Sequence, residues 1–417
     1  MHVPKHSDGA LLAPLWIVSE VYFPEETSTG HYLTMIAEGL ARERFVSVIC
    51  AKPNYSRRGI EVPRKEVRNG VTILRCRSTS LDKNSHVFRI INFVTVTVAV
   101  SAMMIRHVRR RDVVLVGTNP PVLPFAAALA CFVKRADCVL KIEDVYPDNM
   151  IAAGMISRRG VAAWIMNAAQ RCLFKRMSAI CVLGRDMAEL VRKKAAPSRP
   201  KIEWVSNWAD SDMIRPEPRN TNRMINELGL EGKFIIGYAG NIGPLQGIEY
   251  LFDCMVRLQE YADVHFVFVG MGKKYAWLDQ AIRETGLKNV TLVGQKPRSE
   301  QLNFLNACDI SLVSLISGMV GVGVPSRTYN YLAAGKPVLA AVDADSEIAT
   351  LVNEEKIGWV VSPGQVDAFV DAVLAAKADI DGLVRMGRRA RLLAESTYSF
   401  EHVLGQYSAV LKLWNEY

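Results

Sequence analysis

Short runs of β-branched and aliphatic residues, each followed by a helical pattern, recur along nearly the whole chain in two series. In the first series residues 15–19, 46–51, 113–117, 138–142, 179–183 and 202–205 read as strands. Helical patterns at 32–42, 122–134, 161–175 and 186–194 lie between them. The second repeats the scheme with strands at 234–239, 265–269, 290–293, 310–313 and 338–341 and helices at 248–258, 277–285, 299–307 and 348–353. Strands that alternate with helices form a parallel sheet covered on both faces, because each crossover must lay its helix on the sheet. The fold class expected is therefore α/β, with two doubly wound, Rossmann-like domains, and ligands at the carboxyl ends of the strands. Between the series, residues 207–220 are polar and carry Pro216 and Pro218, the mark of a linker. The expected domains are 1–206, the linker 207–220, 221–390 and a C-terminal piece 391–417; residues 383–417 read as largely helical.

Charge separates the two halves. Residues 1–205 carry 31 Lys and Arg against 17 Asp and Glu, a net of +14, so the total of +9 leaves the remainder at −5. A basic half attracts nucleic acid, anionic lipid or a phosphorylated substrate. Nucleic acid is the weakest of the three, since no recognition helix, zinc-ligand set or aromatic-interleaved single-strand pattern accompanies the charge. The eight cysteines are scattered in apolar contexts without a C-x-x-C pair, which fits core residues of a reduced, cytosolic protein. The N-terminal residues lack the basic and apolar regions of a signal peptide. Residues 90–105 are uncharged and precede Arg106, Arg109, Arg110 and Arg111, yet they fall short of a full membrane span. Two readings stand: a buried helix of the α/β domain, or a helix whose apolar side and arginines dock on the cytoplasmic leaflet. The expected location is the cytoplasm, peripherally on the inner face of the cytoplasmic membrane.

Four segments carry chemistry. Residues 323–340 read as a loop, a short helix, a stop at Gly335 and a buried strand, with Pro325 in the first turn and Ser326 as cap. Such a helix start offers backbone N–H groups to an anion, and Arg327 adds a planar fork suited to phosphate; an ordinary loop–helix–strand connection is the plainer reading. The turn Gly240-Asn241-Ile242-Gly243 through Gln246, after the first strand of the second series, lets backbone approach phosphate, although many nucleotide-binding proteins share its spelling. Gly270 sits in a smaller turn of the same kind. In the first series, Ser28, Thr29, Gly30 and His31 follow the first strand, and Glu143, Asp144, Tyr146, Pro147 and Asp148 follow the fourth. Turn formation by Asp and Pro is the plain alternative for the latter. No metal constellation is visible: the seven histidines are dispersed, no Asp-x-Asp pair is placed to hold a metal between diphosphate oxygens, and Asp210-Ser211-Asp212, which has that spelling, lies in the linker.

The segment Val324-Pro325-Ser326-Arg327 through Leu332-Ala333-Ala334-Gly335-Lys336-Pro337-Val338 resembles the donor-site signature of family 4 glycosyltransferases, and the likeness runs over nearly the whole chain. These are retaining enzymes of GT-B architecture, and the nearest likeness is to bacterial members that build O-antigen, capsule or exopolysaccharide. The resemblance implies a nucleotide-sugar donor, with UDP as the expected nucleotide. Gly240, Asn241, Gly243, Gln246, Gly270, Val324, Pro325, Ser326, Arg327 and Asn330 would hold it. It implies a polyprenyl-diphosphate-linked saccharide acceptor met by Ser28, Thr29, Gly30, His31, Asp144, Tyr146 and Asp148. Asp144 would contact the acceptor hydroxyl and serve as base, with Asp148 as second choice. Arg327 would stabilise the departing diphosphate, so no metal or other cofactor is expected. It also implies a last helix that crosses back to the first domain.

The chain departs from the family pattern twice. Asn241 and Gln246 stand where an Arg and a Lys usually grip the diphosphate, and Val322 and Asn330 stand where two glutamates are spaced eight residues apart. These departures shift the electrostatic work to Arg327 and backbone donors. They also keep two rivals open: a non-catalytic partner subunit of the same fold, and a nucleotide-sugar 2-epimerase.

Overall fold

The computed structural model describes residues 12–54, 60–81 and 86–412, so residues 413–417 of the expected C-terminal helix lie outside the described residues. The chain divides into two units. One comprises residues 1–147, 159–206 and 404–417, the other 148–158 and 207–403.

The first unit opens with β1 (Leu15–Val18), α1 (Ser28–Leu40), β2 (Val46–Ala51), β3 (Lys65–Arg68) and β4 (Val71–Cys76). It continues through α2 (His86–His107), β5 (Val113–Gly117), α3 (Leu123–Lys134) and β6 (Asp137–Lys141). The short α4 (Asp148–Ala152) belongs to the other unit, after which α5 (Val161–Phe174), β7 (Ala179–Val182), α6 (Arg185–Ala195) and β8 (Lys201–Trp204) follow. The sheet runs β3-β4-β2-β1-β5-β6-β7-β8, parallel except for the β3–β4 hairpin. From β1 the chain moves one way to β2, and from β5 the other way to β8. Right-handed crossovers therefore put α1 on one face and α3, α5 and α6 on the opposite face. α2 packs against α3.

α2 has the buried stripe of the first sequence reading, and its helix over Val87–His107 is, by length and composition, long and apolar enough to cross a membrane, where the uncharged run in the sequence fell short. Asn92, Val96, Val100 and Met104, spaced four apart, are buried in one stripe, while Val87, Phe88, Ile90, Val94 and Val98 are exposed. The helix is thus a wall of the sheet unit whose far side is apolar and open.

The second unit contains α7 (Arg223–Leu228), β9 (Phe234–Ala239), α8 (Ile248–Leu258), β10 (Val264–Val269), α9 (Tyr275–Thr285) and β11 (Val290–Gly294). Then come α10 (Gln301–Asn306), β12 (Ile310–Ser314), α11 (Arg327–Ala333), β13 (Val338–Ala341), α12 (Glu347–Glu354) and β14 (Gly358–Val361). The chain ends in α13 (Val366–Ala378), α14 (Ile380–Glu395) and α15 (Phe400–Lys412), with residues from Leu404 onward belonging to the first unit. Its six strands are all parallel in the order β11-β10-β9-β12-β13-β14. Ile236, Phe266, Phe268, Leu312 and Phe369 fill one side of this sheet; Ile235, Val267 and Cys308 fill the other.

The structure departs from the sequence expectations locally. The β3–β4 hairpin and β14 were not foreseen, and α1 starts at Ser28 rather than 32 because Thr27 caps it, accepting from the Gly30 amide at 3.3 Å. The expected linker is folded into the second unit. Trp208, Ala209 and Ile214 are buried, Ala209 N–H donates to the Tyr398 carbonyl at 2.8 Å, and Arg391 donates to the carbonyls of Ser211 and Ile214. Its prolines and acids read as a free connector, but its apolar side chains find a core.

Candidate donor and acceptor sites

In each sheet the strand order reverses at one point, between β1 and β5 in the first unit and between β9 and β12 in the second. Loops leaving the carboxyl ends of such neighbours diverge and leave a crevice between them. Residues 28–31 follow β1, and residues 240–246 and Arg327 follow β9 and β12, at these points. Asp144 and Tyr146 follow β6 and Gly270 follows β10, each one strand away, and Asp148 lies in the second unit.

In the second unit, the loops after β9 and β12 bring Arg327 onto Gly240. Gly240 has φ +144°, and a Cβ there would stand 2.9 Å from Arg327 Cζ, so the guanidinium lies against a bare stretch of backbone. The same guanidinium lies 4.5 Å from the centre of the Tyr238 ring. Arg327 Nη1 is shielded from water and has no hydrogen-bond partner. A buried donor left unmade costs about 1–3 kcal/mol, a cost an anion at this point would remove. Below the arginine, Tyr331 Oη accepts from the Ala239 amide at 2.9 Å, and Tyr238 Oη donates to the Asn241 carbonyl at 2.6 Å, fixing the turn from beneath.

Gly270, also at φ +144°, lies so close that its Cβ would meet the Gly240 carbonyl oxygen at 1.9 Å. The two turns therefore touch backbone to backbone, which requires glycine. Asp343, after β13, holds the loop that follows β12. Its carboxylate accepts from Ser317 Oγ at 3.0 Å and from the amides of Gly318 and Met319 at 2.8 and 3.2 Å. Asp343 was not singled out from the sequence; its partners lie on another loop.

Several expected details change. α11 is only seven residues long, and Ser326 makes no side-chain cap bond. The amides of Thr328 and Tyr329 donate to the carbonyls of Pro325 and Ser326, so they do not stand open to an anion. Little of the expected helix-end attraction remains, and Arg327 carries the positive charge here. Gln246 Oε1 accepts from the Gly243 amide at 3.1 Å and from Asn241 Nδ2 at 3.4 Å, closing the turn on itself. Val324, Pro325 and Asn330 are half-buried beside Arg327 in sequence. Gly335, at φ +62°, does stop the helix, with the Lys336 amide donating to the Tyr331 carbonyl at 3.0 Å.

In the first unit, loops after β1, β5 and β6 are joined. Glu20 N–H reaches the Asn119 carbonyl at 3.5 Å, and Glu143 N–H donates to Thr118 Oγ1 at 3.1 Å. Lys141, wholly buried, pairs with the Glu143 carboxylate. This pair fixes the start of the loop that presents Asp144. Asp144 itself is exposed, yet its carboxyl is raised to about 6, first by desolvation among the surrounding protein and then by the neighbouring Glu143 charge. Tyr146 is half-buried on the same loop, whereas Asp148 opens α4 and is counted with the second unit. Ser28, Thr29, Gly30 and His31 form the first turn of α1, where a Cβ on Gly30 would press on the Glu25 carbonyl and Thr27 Oγ1 at 3.0 Å. The His31 ring packs edge-on to Tyr32.

Residues 28–208 match the family described as glycosyl transferase 4-like domain, and residues 220–393 match glycosyl transferases group 1. The chain belongs to the glycosyltransferases that join these two domains in the GT-B fold, and it is a glycosyltransferase. Among its relatives, the probable glycosyltransferase WbjE of Pseudomonas aeruginosa is 29% identical, over 96% of this chain and 98% of the relative. The putative colanic acid biosynthesis glycosyl transferase WcaI of Escherichia coli K12 is 26% identical, over 93% and 96%. The fold also matches HepE of Anabaena, solved with UDP and glucose, at a TM-score of 0.73 and 14% identity, over 96% of this chain and 99% of that one.

Proposed function

We propose that the enzyme moves a sugar, with retention of configuration, from a UDP-linked donor to a polyprenyl-diphosphate-linked saccharide in bacterial surface polysaccharide synthesis. The observation that carries this reading is the unpartnered Nη1 of Arg327, held against Gly240 at the point where the second sheet reverses. The name of WcaI, a colanic acid biosynthesis glycosyl transferase, supports the pathway class, and the UDP and glucose bound to HepE support the donor class.

In this reading the bond from the anomeric carbon to the diphosphate oxygen breaks, and the electron pair leaves on the diphosphate facing Arg327. The acceptor hydroxyl oxygen forms the new bond, and its proton passes to Asp144. In this reading the Arg327 guanidinium meets the phosphate charge without a metal, so turnover should survive chelator. The lipid-linked acceptor places the enzyme on the inner face of the cytoplasmic membrane.

The test is release of nucleoside diphosphate from a panel of UDP- and GDP-sugars with a short lipid-diphosphate-linked acceptor, comparing wild type with Arg327→Ala. Product from wild type alone supports the assignment. Equal activity in both proteins removes Arg327 from the donor site.

A further inference from the structure

The first unit carries an apolar surface that donor chemistry does not use. On α2, Ile90 and Val98 are 62% and 64% exposed; on α3, Leu129 and Phe132 are 63% and 67% exposed; on α5, Trp164 is 68% exposed. α2 packs on α3 and α3 on α5, so these side chains form a neighbouring series on one face of the sheet. A surface of that kind marks an interaction site.

Charge decides what covers it. α2, α3 and α5 contain no Asp or Glu. At their C-terminal ends Arg106, Arg109, Arg110, Arg135, Lys175 and Arg176 are all exposed. The ends of α2 and α3 are tied together, since Lys134 Nζ donates to the Ile105 carbonyl at 2.9 Å and the Arg111 amide to the Arg135 carbonyl at 3.0 Å. At the ends of α3 and α5 lies an open groove of about 700 Å³, whose lining includes Phe132, Val133, Arg135, Lys175 and Arg176. Arg176 also lies 5.0 Å from the centre of the Phe132 ring.

We infer that the α2–α3–α5 face seats the enzyme on an anionic bilayer, its apolar side chains entering the acyl boundary and the groove's cations taking lipid phosphates. A second copy of the chain docked face to face would instead set this basic rim near itself, and like charges oppose that arrangement. The inference deepens the lipid-linked acceptor reading but does not involve the donor, so binding is measured without nucleotide.

The experiment is flotation of the full chain with phosphatidylcholine vesicles, with or without about one third phosphatidylglycerol, for wild type and two variants. Wild type should float with the anionic vesicles. Leu129→Glu/Phe132→Glu should stay in solution with both, because it charges the inserted surface. Arg135→Glu/Lys175→Glu/Arg176→Glu should bind anionic vesicles roughly a hundredfold more weakly, since each basic residue near such a surface adds a modest increment. All replaced side chains are exposed, and thermal melts together with water-phase donor hydrolysis report whether each variant is folded and its donor site intact. A wild type that floats with neither vesicle overturns the inference. So does a wild-type dimer by light scattering that Leu129→Glu/Phe132→Glu dissociates, with vesicle binding unchanged. Loss of donor hydrolysis with normal flotation would instead count against the transferase reading alone.

Discussion

The guanidinium of Arg327 occupies the space that a side chain on Gly240 would need, with Cζ 2.9 Å from the position of the missing Cβ. Gly240 also holds φ +144°, a conformation costing non-glycine residues on the order of 1–3 kcal/mol. Gly240→Ala should therefore lower stability by about that amount and push Arg327 from its seat. Titration with UDP, followed by calorimetry, should show weakened affinity beyond what the melting shift explains. Unchanged UDP affinity would separate Gly240 from the donor site.

Arg327→Lys keeps the charge but loses the planar fork and its place over Tyr238. Removing a group that stabilises developing charge typically costs about 10²–10³ in rate, so Arg327→Ala should lower kcat by that order and Arg327→Lys by a smaller part of it. Steady-state kinetics with saturating donor check the ranking. Equal kcat values for both variants and wild type would rule out a role in the transition state.

The parts of this site that depend on neighbours in sequence were legible there. The glycine turn follows its strand directly, Arg327 opens its helix, and Gly335 stops it; each follows from local backbone demands. What brings them together is the pairing of β9 with β12, a long-range register that no local pattern states. The same holds for Thr118 and Asn119, which meet the loops after β6 and β1 only because β5 lies between those strands. The β3–β4 hairpin escaped notice because β3 reads Lys-Glu-Val-Arg, an exposed edge with almost no apolar signal. The open apolar sides of α3 and α5 were not visible in the sequence, since periodicity cannot tell a face covered by protein from one left open. The short α11 and the spent amides of Thr328 and Tyr329 were equally invisible, being details of turn closure.

Asp144 gives a pH signature. Its carboxyl is raised to about 6 by desolvation and by Glu143, so it is protonated, and unable to accept a proton, below that pH. Activity should rise as pH increases through about 6, and Asp144→Asn should remove this limb together with most of the rate. The stability effect has the opposite sign. A carboxyl with a folded-state value above its unfolded one holds its proton more tightly when folded, so this group's contribution falls as pH rises from about 4 through about 6. Asp144→Asn should accordingly melt slightly higher than wild type at pH 7.5, with the difference gone at pH 3.5. The exposure of the side chain keeps the gain small.

Lys141 and Glu143 provide a control on the same loop that acts through folding. Lys141 is entirely buried and pairs with Glu143, so removing the carboxylate strands a buried ammonium. Breaking such a pair costs about 3 kcal/mol, because the remaining charge keeps its desolvation penalty without compensation. Glu143→Gln should therefore lower Tm by roughly 6–12 °C for a unit of this size. Lys141→Met in the same background removes the stranded charge and should recover most of the loss, as an apolar side chain suits the buried strand β6. Recovery of Tm without recovery of transfer would show that the pair also fixes the loop presenting Asp144, through the bond from Glu143 N–H to Thr118 Oγ1. A double variant no more stable than Glu143→Gln would mean that the cost arises in the loop backbone and not in the buried charge.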